Sequence, residues 1–246
     1  MTHSNILYSC DDEYGNINVL DDGKHRILSF VKGDEQSKQC TATPYVLQHE
    51  YTQAMMLALL FKQPKRVAIL GLGGGCLLTT LHHHIPGINI TAVELRQSVI
   101  DIAERFFRLP KGKKIQIIRQ NANQYLERKD QKKVDILFTD IYNTKGMDES
   151  VLQQKFIEQC DKHIKDDGWL ALNCWSEHTN HPELIESLRT YFLDVRALDT
   201  GCGNWVILAS KSFQNQTEKQ LKSQAQKLSS ELGFNATKWL SRLNEV

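Results

Sequence analysis

The chain has 246 residues, of which 41% are hydrophobic and 24% charged, with a formal net charge of +1. That is enough material for one large domain with small appendages, and the even charge balance removes any bulk electrostatic case for nucleic acid or an anionic membrane as a partner. The six cysteines, Cys10, Cys40, Cys76, Cys160, Cys174 and Cys202, are scattered with no C-x-x-C pair and no zinc spacing. No metal is therefore expected, and free cysteines suit a reduced compartment. No apolar run reaches membrane-spanning length and Met1 to Asn5 begin no signal-peptide pattern, so the expected location is cytoplasmic.

In chain order, residues 1–43 predict a small N-terminal antiparallel β-domain. The runs at residues 6–8, 16–20 and 26–30 are separated by Asp- and Gly-rich turns, and Asp22-Gly23 is a strong hairpin signal because glycine takes positive φ readily. From Pro44 to Phe61 the pattern turns helical, with Tyr51, Met55, Ala58 and Leu59 along one face, until Pro64 ends it. Strands and helices then alternate. Strands are expected at residues 67–70, 89–93, 115–118, 134–139 and 169–173. Helices are expected up to His84 and at 98–108, 123–128 and 151–164. That alternation means a parallel sheet with crossover helices. After a helix at 182–193, the runs 193–198 and 204–209 flank Asp199 to Gly203 as an antiparallel edge hairpin. A mostly parallel, seven-stranded sheet finished in this way is the Rossmann-like fold of S-adenosylmethionine-dependent methyltransferases, here spanning residues 44–212. Residues 213–246, with Leu221, Ala225, Leu228, Leu232, Trp239 and Leu243 at helical spacing, predict an amphipathic helical extension packed on the body.

The chemistry concentrates at the ends of the first parallel strands. The apolar run Val67 to Leu70 leads into Gly71-Leu72-Gly73-Gly74-Gly75, and Glu94 closes the next apolar run. A Gly-rich turn lets backbone approach a ligand, a helix starts behind it, and an acid at the end of the second strand accepts hydrogen bonds from a ribose. The dinucleotide fingerprint G-x-G-x-x-G fits only in part, since Cys76 stands where its third glycine belongs. The form G-x-G-G-G suits S-adenosylmethionine-type ligands better. Asp140 sits at the carboxyl end of the fourth strand, where ligands of open α/β sheets bind. An alkylammonium, with a pKa near ~10, becomes a nucleophile only when a positioned base removes a proton, and Asp140 is the candidate general base. Tyr142 and Trp175 are candidate pocket walls, and His178 and His181 are possible further acid/base groups. His82-His83-His84 makes no metal site, because consecutive helical residues point about 100° apart.

These residues resemble the spermidine/spermine synthase (polyamine aminopropyltransferase) family, particularly its spermidine-synthase-like bacterial branch. The resemblance is carried by Gln36-Ser37, His49-Glu50, the loop Gly71 to Gly75, Ala92-Val93-Glu94-Leu95, Asn121-Ala122, Phe138-Thr139-Asp140 and Gly203 to Ser210. It implies a homodimeric enzyme that uses decarboxylated S-adenosylmethionine to alkylate a small amine or polyamine. It places Gly71, Gly73, Gly75, Glu94, Asn121 and Ala122 on the donor, with Glu94 at the ribose and Asn121 at the adenine amino group. Asp140 would deprotonate the attacking amine, and Gln36, His49, Tyr142 and Asn143 would line the acceptor side. The alternatives are a methyltransferase using intact S-adenosylmethionine and a catalytically idle adenosyl-binding homologue. Three departures matter. Gly74 replaces the family's loop Asp, Asn143 replaces its second acid, and Asn121 replaces the Asp of Gly-Asp-Ala, leaving an amide oxygen as acceptor. Gly74 is further expected to expose backbone N–H groups that would receive the carboxylate of an intact donor.

Overall fold

A computed structural model describes residues 5–31, 33–143 and 146–246, with the side chain of Asn143 outside that description. Four antiparallel strands come first: β1 (Asn5–Asp12), β2 (Gly15–Asp21), β3 (His25–Ser29) and β4 (Ser37–Cys40), hydrogen-bonded in that order. The β2–β3 turn forms at the expected glycine, Gly23, with φ of +87°, and Asp22 Oδ1 accepts from the N–H of Lys24 and His25. β4 has no alternating apolar signal. It is a strand because Ser37 and Gln39 turn inward on the protein's interior, where both are buried.

The helical stretch after Pro44 is two short helices, α1 (Glu50–Met55) and α2 (Ala58–Phe61), rather than one. Ala54 to Ala58 are all fully buried, so the break lies inside the core. Then follow β5 (Arg66–Leu70), α3 (Cys76–His84), β6 (Asn89–Glu94), α4 (Gln97–Phe106), β7 (Ile115–Arg119), α5 (Ala122–Leu126) and β8 (Val134–Thr139). Next come the two-residue strands β9 (Tyr142–Asn143) and β10 (Gly146–Met147), a 3-10 turn at Glu149–Leu152, α6 (Gln154–His163) and β11 (Ile164–Trp175). The chain finishes with α7 (Pro182–Tyr191), β12 (Asp194–Asp199), β13 (Asn204–Ser210), α8 (Glu218–Leu232), α9 (Ala236–Leu240) and β14 (Asn244–Glu245).

The main sheet has eight strands in the order β14-β12-β13-β11-β8-β5-β6-β7. The pairs from β11 through β7 are parallel, and β13, β12 and β14 add on antiparallel. The expected count of seven is exceeded because Asn244–Glu245 pair with Ala197 and Arg196. Such a two-residue strand leaves no periodic pattern to read. All six residues of β8 are buried, as a central parallel strand covered on both faces requires. β11 is longer than expected, because its register with β8 breaks between Ile164 and Trp169 and hides the first part from a pattern search.

Two apolar layers sandwich the sheet. One includes Met55, Leu78, Phe138, Trp169, Leu228 and Trp239, bringing in the helices before β5 and the C-terminal pair. The other includes Leu126, Phe156, Ile157, Leu184 and Leu188, from α5, α6 and α7, packed on Leu172 of β11. A third cluster, Ile17, Val19, Leu28 and Phe30 against Val99, Ile102 and Phe107, docks the small sheet on the outer face of α4. The small sheet therefore stands beside the carboxyl ends of β5 and β6. No helix among the described residues is long and apolar enough to cross a membrane.

Candidate functional site

A cavity of about 900 Å³ opens at the carboxyl ends of β5, β6, β7 and β8, between the main sheet and the small one. That size lies within the range of small-molecule sites. The glycine loop forms one wall. Gly71 has φ of +91°, and a Cβ there would run into the carbonyl oxygen of Asp140. Gly73 has φ of +52°, and its Cβ would lie 2.5 Å from Ser37 Oγ. Both line the cavity. Gly75 does not: its φ is +74°, and the space a Cβ would need is taken by Leu109. Glycine at this position is required by packing behind the loop.

The expectation for Gly74 is corrected. Its N–H donates to Ser37 Oγ at 2.8 Å, so that amide is already partnered. A Cβ at Gly74 would lie 2.7 Å from the Phe107 ring. The small sheet and α4 together fill the space that a loop side chain would occupy.

Glu94 ends β6 facing the cavity, and both its oxygens are held by the backbone. Leu72 N–H donates to Oε2 and Arg96 N–H to Oε1, each at 3.0 Å. A carboxylate oxygen accepts more than one hydrogen bond, so Glu94 is fixed in place with acceptor capacity left for hydroxyls. Next along the edge, Asn121 precedes α5. Its side-chain oxygen accepts from Asn123 N–H at 2.9 Å and Gln124 N–H at 3.3 Å, capping the helix. The acceptor role expected of that oxygen is therefore already taken by the helix. Asn121 and Ala122 both line the cavity.

Asp140 lies just past the end of β8. Tyr51 donates its hydroxyl to Oδ2 at 3.1 Å and Asn173 donates Nδ2 to Oδ1 at 2.9 Å. Asn173 Oδ1 accepts in turn from Asn204 Nδ2 at 3.1 Å, and Asn204 Nδ2 also reaches the Tyr142 hydroxyl at 3.4 Å. Burial pushes the Asp140 carboxyl up, the Asn173 and Tyr51 hydrogen bonds pull it back, and the charge of Glu94 adds to the rise; the result is about 6. The same burial, with Asp140 nearby, lifts Tyr51 and Tyr142 above the ordinary phenol value. Neither phenol is a base near neutral pH, whereas a carboxyl raised to about 6 can both take and give up a proton there.

The remaining walls carry Tyr14, Phe30, Asp34, Glu35, Gln36, Ile141, Asp148, Trp175 and Cys202. Gln36 donates Nε2 to Asp34 Oδ2 at 2.9 Å, so it reaches the cavity with its amide partly engaged. Tyr142 and Trp175 do wall the cavity, with ring centroids 6.1 Å apart. Gly146 lies on the Trp175 ring so closely that a Cβ would collide with it. The backbone of Asn143 pairs with Gly146, while the role expected of its side chain falls outside the described residues.

His49 sits in a narrower recess behind the loop, bordered by Ser37, Tyr51, Gly71, Cys76 and Asp140. It stacks on Tyr51 with centroids 5.6 Å apart, burial lowers its pKa, and its Nε2 has no hydrogen-bond partner among the described residues. Its neighbour Glu50 turns away to Lys238 and Cys202. His178 and His181 lie outside the cavity, and His181 Nδ1 accepts from Leu184 N–H at the start of α7.

Sequence reasoning missed the contacts that Tyr51, Asn173 and Asn204 make around Asp140. Tyr51 was hidden in an apolar helix face. Asn173 had a usable signal, a polar side chain inside the run Leu170-Ala171-Leu172-Asn173-Cys174. Buried polar groups need partners, and here the partners are Asp140 and Asn204.

Comparison with known proteins gives a consistent result. The family model described as spermine/spermidine synthase domain matches residues 48–200. A polyamine aminopropyltransferase of Neisseria meningitidis serogroup A is 27% identical over 234 residues, covering 92% of this chain and 88% of its own. A probable spermidine synthase structure from Corynebacterium glutamicum superposes with a TM-score of 0.80 at 18% identity, over 98% of this chain and 90% of the other. Human methyltransferase-like protein 13, solved with SAH, gives a TM-score of 0.67 at 19% identity, over 76% and 93%. The two structural likenesses show the fold, which is the expected Rossmann-like methyltransferase type.

Proposed function

The chain belongs to the spermine/spermidine synthase family, and from that premise we propose that it transfers an aminopropyl group from decarboxylated S-adenosylmethionine to a small amine or polyamine. The observation that carries this reading is Asp140, a carboxylate raised to about 6 and held by Tyr51 and Asn173 in a cavity that Glu94 also lines. The adenosyl donor lies along the ends of β5, β6 and β7, with its ribose hydroxyls on Glu94. The sulfonium sits over Gly71 and Gly73, and the acceptor amine lies beside Asp140. Asp140 takes the amine's proton. The freed lone pair attacks the methylene next to sulfur, the carbon–sulfur bond breaks, and its electron pair stays on sulfur. The products are methylthioadenosine and the aminopropylated amine. Asp34 and Glu35 add negative charge to the wall, which suits a cationic acceptor. The homodimer belongs to the same reading, and light scattering that finds only monomer at working concentration removes it.

A second reading, methyl transfer from intact S-adenosylmethionine, has one observation behind it. Gly74 offers no acid for the donor's ammonium, and Phe107 fills that space. One experiment separates the two. The protein is incubated with a diamine and each donor in turn, and the products are weighed by mass spectrometry. Growth of the amine by an aminopropyl unit only with the decarboxylated donor supports the first reading. A methylated product from the intact donor replaces it with the second.

A further inference from the structure

At the base end of the cavity the residue expected to accept a hydrogen bond has no acceptor to give. Asn121 takes two backbone N–H groups on its oxygen, which uses both lone pairs. Those two donors also fix which way the amide faces, since a turned amide would set NH₂ against N–H. The polar atom Asn121 has left for a ligand is Nδ2, a donor.

An acceptor stands on the same stretch of wall. Asp148 caps the 3-10 turn, with Ser150 N–H donating to its Oδ1 at 2.9 Å. Ser150 Oγ in turn accepts from Asn123 Nδ2 at 3.0 Å. That contact ties the start of the 3-10 turn to the start of α5, so Asp148 and Asn121 border the cavity together with Asn123. Strand order makes this the base end. β7 follows β6 at the sheet edge, so a ligand whose ribose is on Glu94 extends its base past the end of β7.

We propose that Asp148 accepts the hydrogen bond of the donor's 6-amino group while Asn121 Nδ2 donates to the purine ring nitrogen beside it. This rests on the adenosyl reading above. A 6-aminopurine edge offers a donor and an acceptor side by side, and the pair Asp148 and Asn121 offers their complements. A 6-oxopurine reverses both, setting its oxygen against the carboxylate and its ring N–H against an N–H donor. Asp148 is thus the specificity-determining residue for the base. The acid lost at position 121 is replaced from a different segment of the chain.

The test is calorimetric titration of 5′-methylthioadenosine and 5′-methylthioinosine into the wild-type protein and the Asp148→Asn and Asp148→Ser variants. Both replacements keep an oxygen to cap Ser150, so the turn is retained. Wild-type protein should prefer the amino nucleoside by roughly tenfold or more, the scale of one hydrogen bond to a charged group. In Asp148→Asn the preference should shrink to about threefold or less, because an amide can turn to donate to the 6-oxo group, and in Asp148→Ser it should also collapse. If both variants bind methylthioadenosine with the wild-type preference intact, the assignment of Asp148 is overturned and the adenosyl site stands. If wild-type protein binds neither nucleoside, the adenosyl reading falls and this proposal falls with it.

Discussion

Arg96 grips Asp12 with two nitrogens, Nη2 at 2.7 Å and Nε at 3.1 Å, and the same Nη2 donates to the Gly15 carbonyl oxygen at 2.8 Å. Its guanidinium also lies over the Phe30 ring, 4.6 Å from the centroid. Arg96 is only 5% exposed, and its own N–H is one of the two that hold Glu94. One residue thus fastens the small sheet and helps set the Glu94 carboxylate. Burial works against the Asp12 charge, yet the Arg96 guanidinium and the Tyr14 N–H together outweigh it and hold the carboxyl below its ordinary value.

Arg96→Met should therefore cost about 1.5–3 kcal/mol of stability, because it strands the charge of Asp12. It should also weaken donor binding, since the sheet that walls the cavity comes loose. Urea unfolding and donor titration check the two effects, and unchanged values in both would separate the small sheet from the site.

Replacement of Glu94 should show two grades of damage. Glu94→Gln keeps an oxygen for one backbone N–H and should lower donor affinity at least about tenfold. Glu94→Ala strands the N–H groups of Leu72 and Arg96 as well, so it should also lower the melting temperature of the ligand-free protein. Calorimetry and thermal melting on the two variants distinguish these outcomes.

Asp140→Asn should reduce turnover by about 10²–10⁴ while donor affinity stays close to wild type, because the base is lost and size is kept. A rate near wild type would show that the proton goes elsewhere.

The activity should also have an acid limb set by Asp140. The carboxyl is raised from 3.8 to about 6 in the folded protein, so it is protonated and idle below that value and kcat/KM should rise as pH passes through about 6. Tyr51→Phe removes a hydrogen bond that favours the ionised form, so the limb should move upward. For stability the sign is opposite. The folded state holds this proton more tightly than the unfolded chain, so Asp140 contributes stability fully below 3.8 and loses it as pH rises through about 6. Rate profiles and melting curves over that window measure both.

Gly74→Asp, which on the sequence alone would restore an acid to the loop, should instead destabilise the protein by about 1–3 kcal/mol. The added atoms meet the Phe107 ring and Ser37. A stable Gly74→Asp variant with tighter binding of the decarboxylated donor would show that Phe107 yields easily.

The parallel part of the sheet was legible because apolar runs such as Val134 to Thr139 alternate with helical patterns, and Gly71, Glu94 and Asp140 mark strand ends by residue type alone. What stayed hidden depends on contacts between distant segments. Ser37 and Phe107 decide what Gly74 can do, yet neither carries a local signal. Tyr51 has the spacing of a core residue, and only the fold brings its hydroxyl to Asp140. Asn121 looked like an acceptor because its helix cap cannot be told from its ligand role by residue type. β14 is too short for any period to show.

The acids along the cavity wall, Glu94 and Asp140 among them, also bear on what happens after the reaction. A sulfonium donor arrives as a cation, and the nucleoside it leaves behind is a neutral thioether. Each turnover therefore erases the charge on that ligand to which the wall is attracted, and the spent nucleoside is held less firmly than the donor that replaces it. Exchange of one for the other then follows from electrostatics alone, and salt, which screens the cation but has no charge to screen on the thioether, should narrow the difference between them.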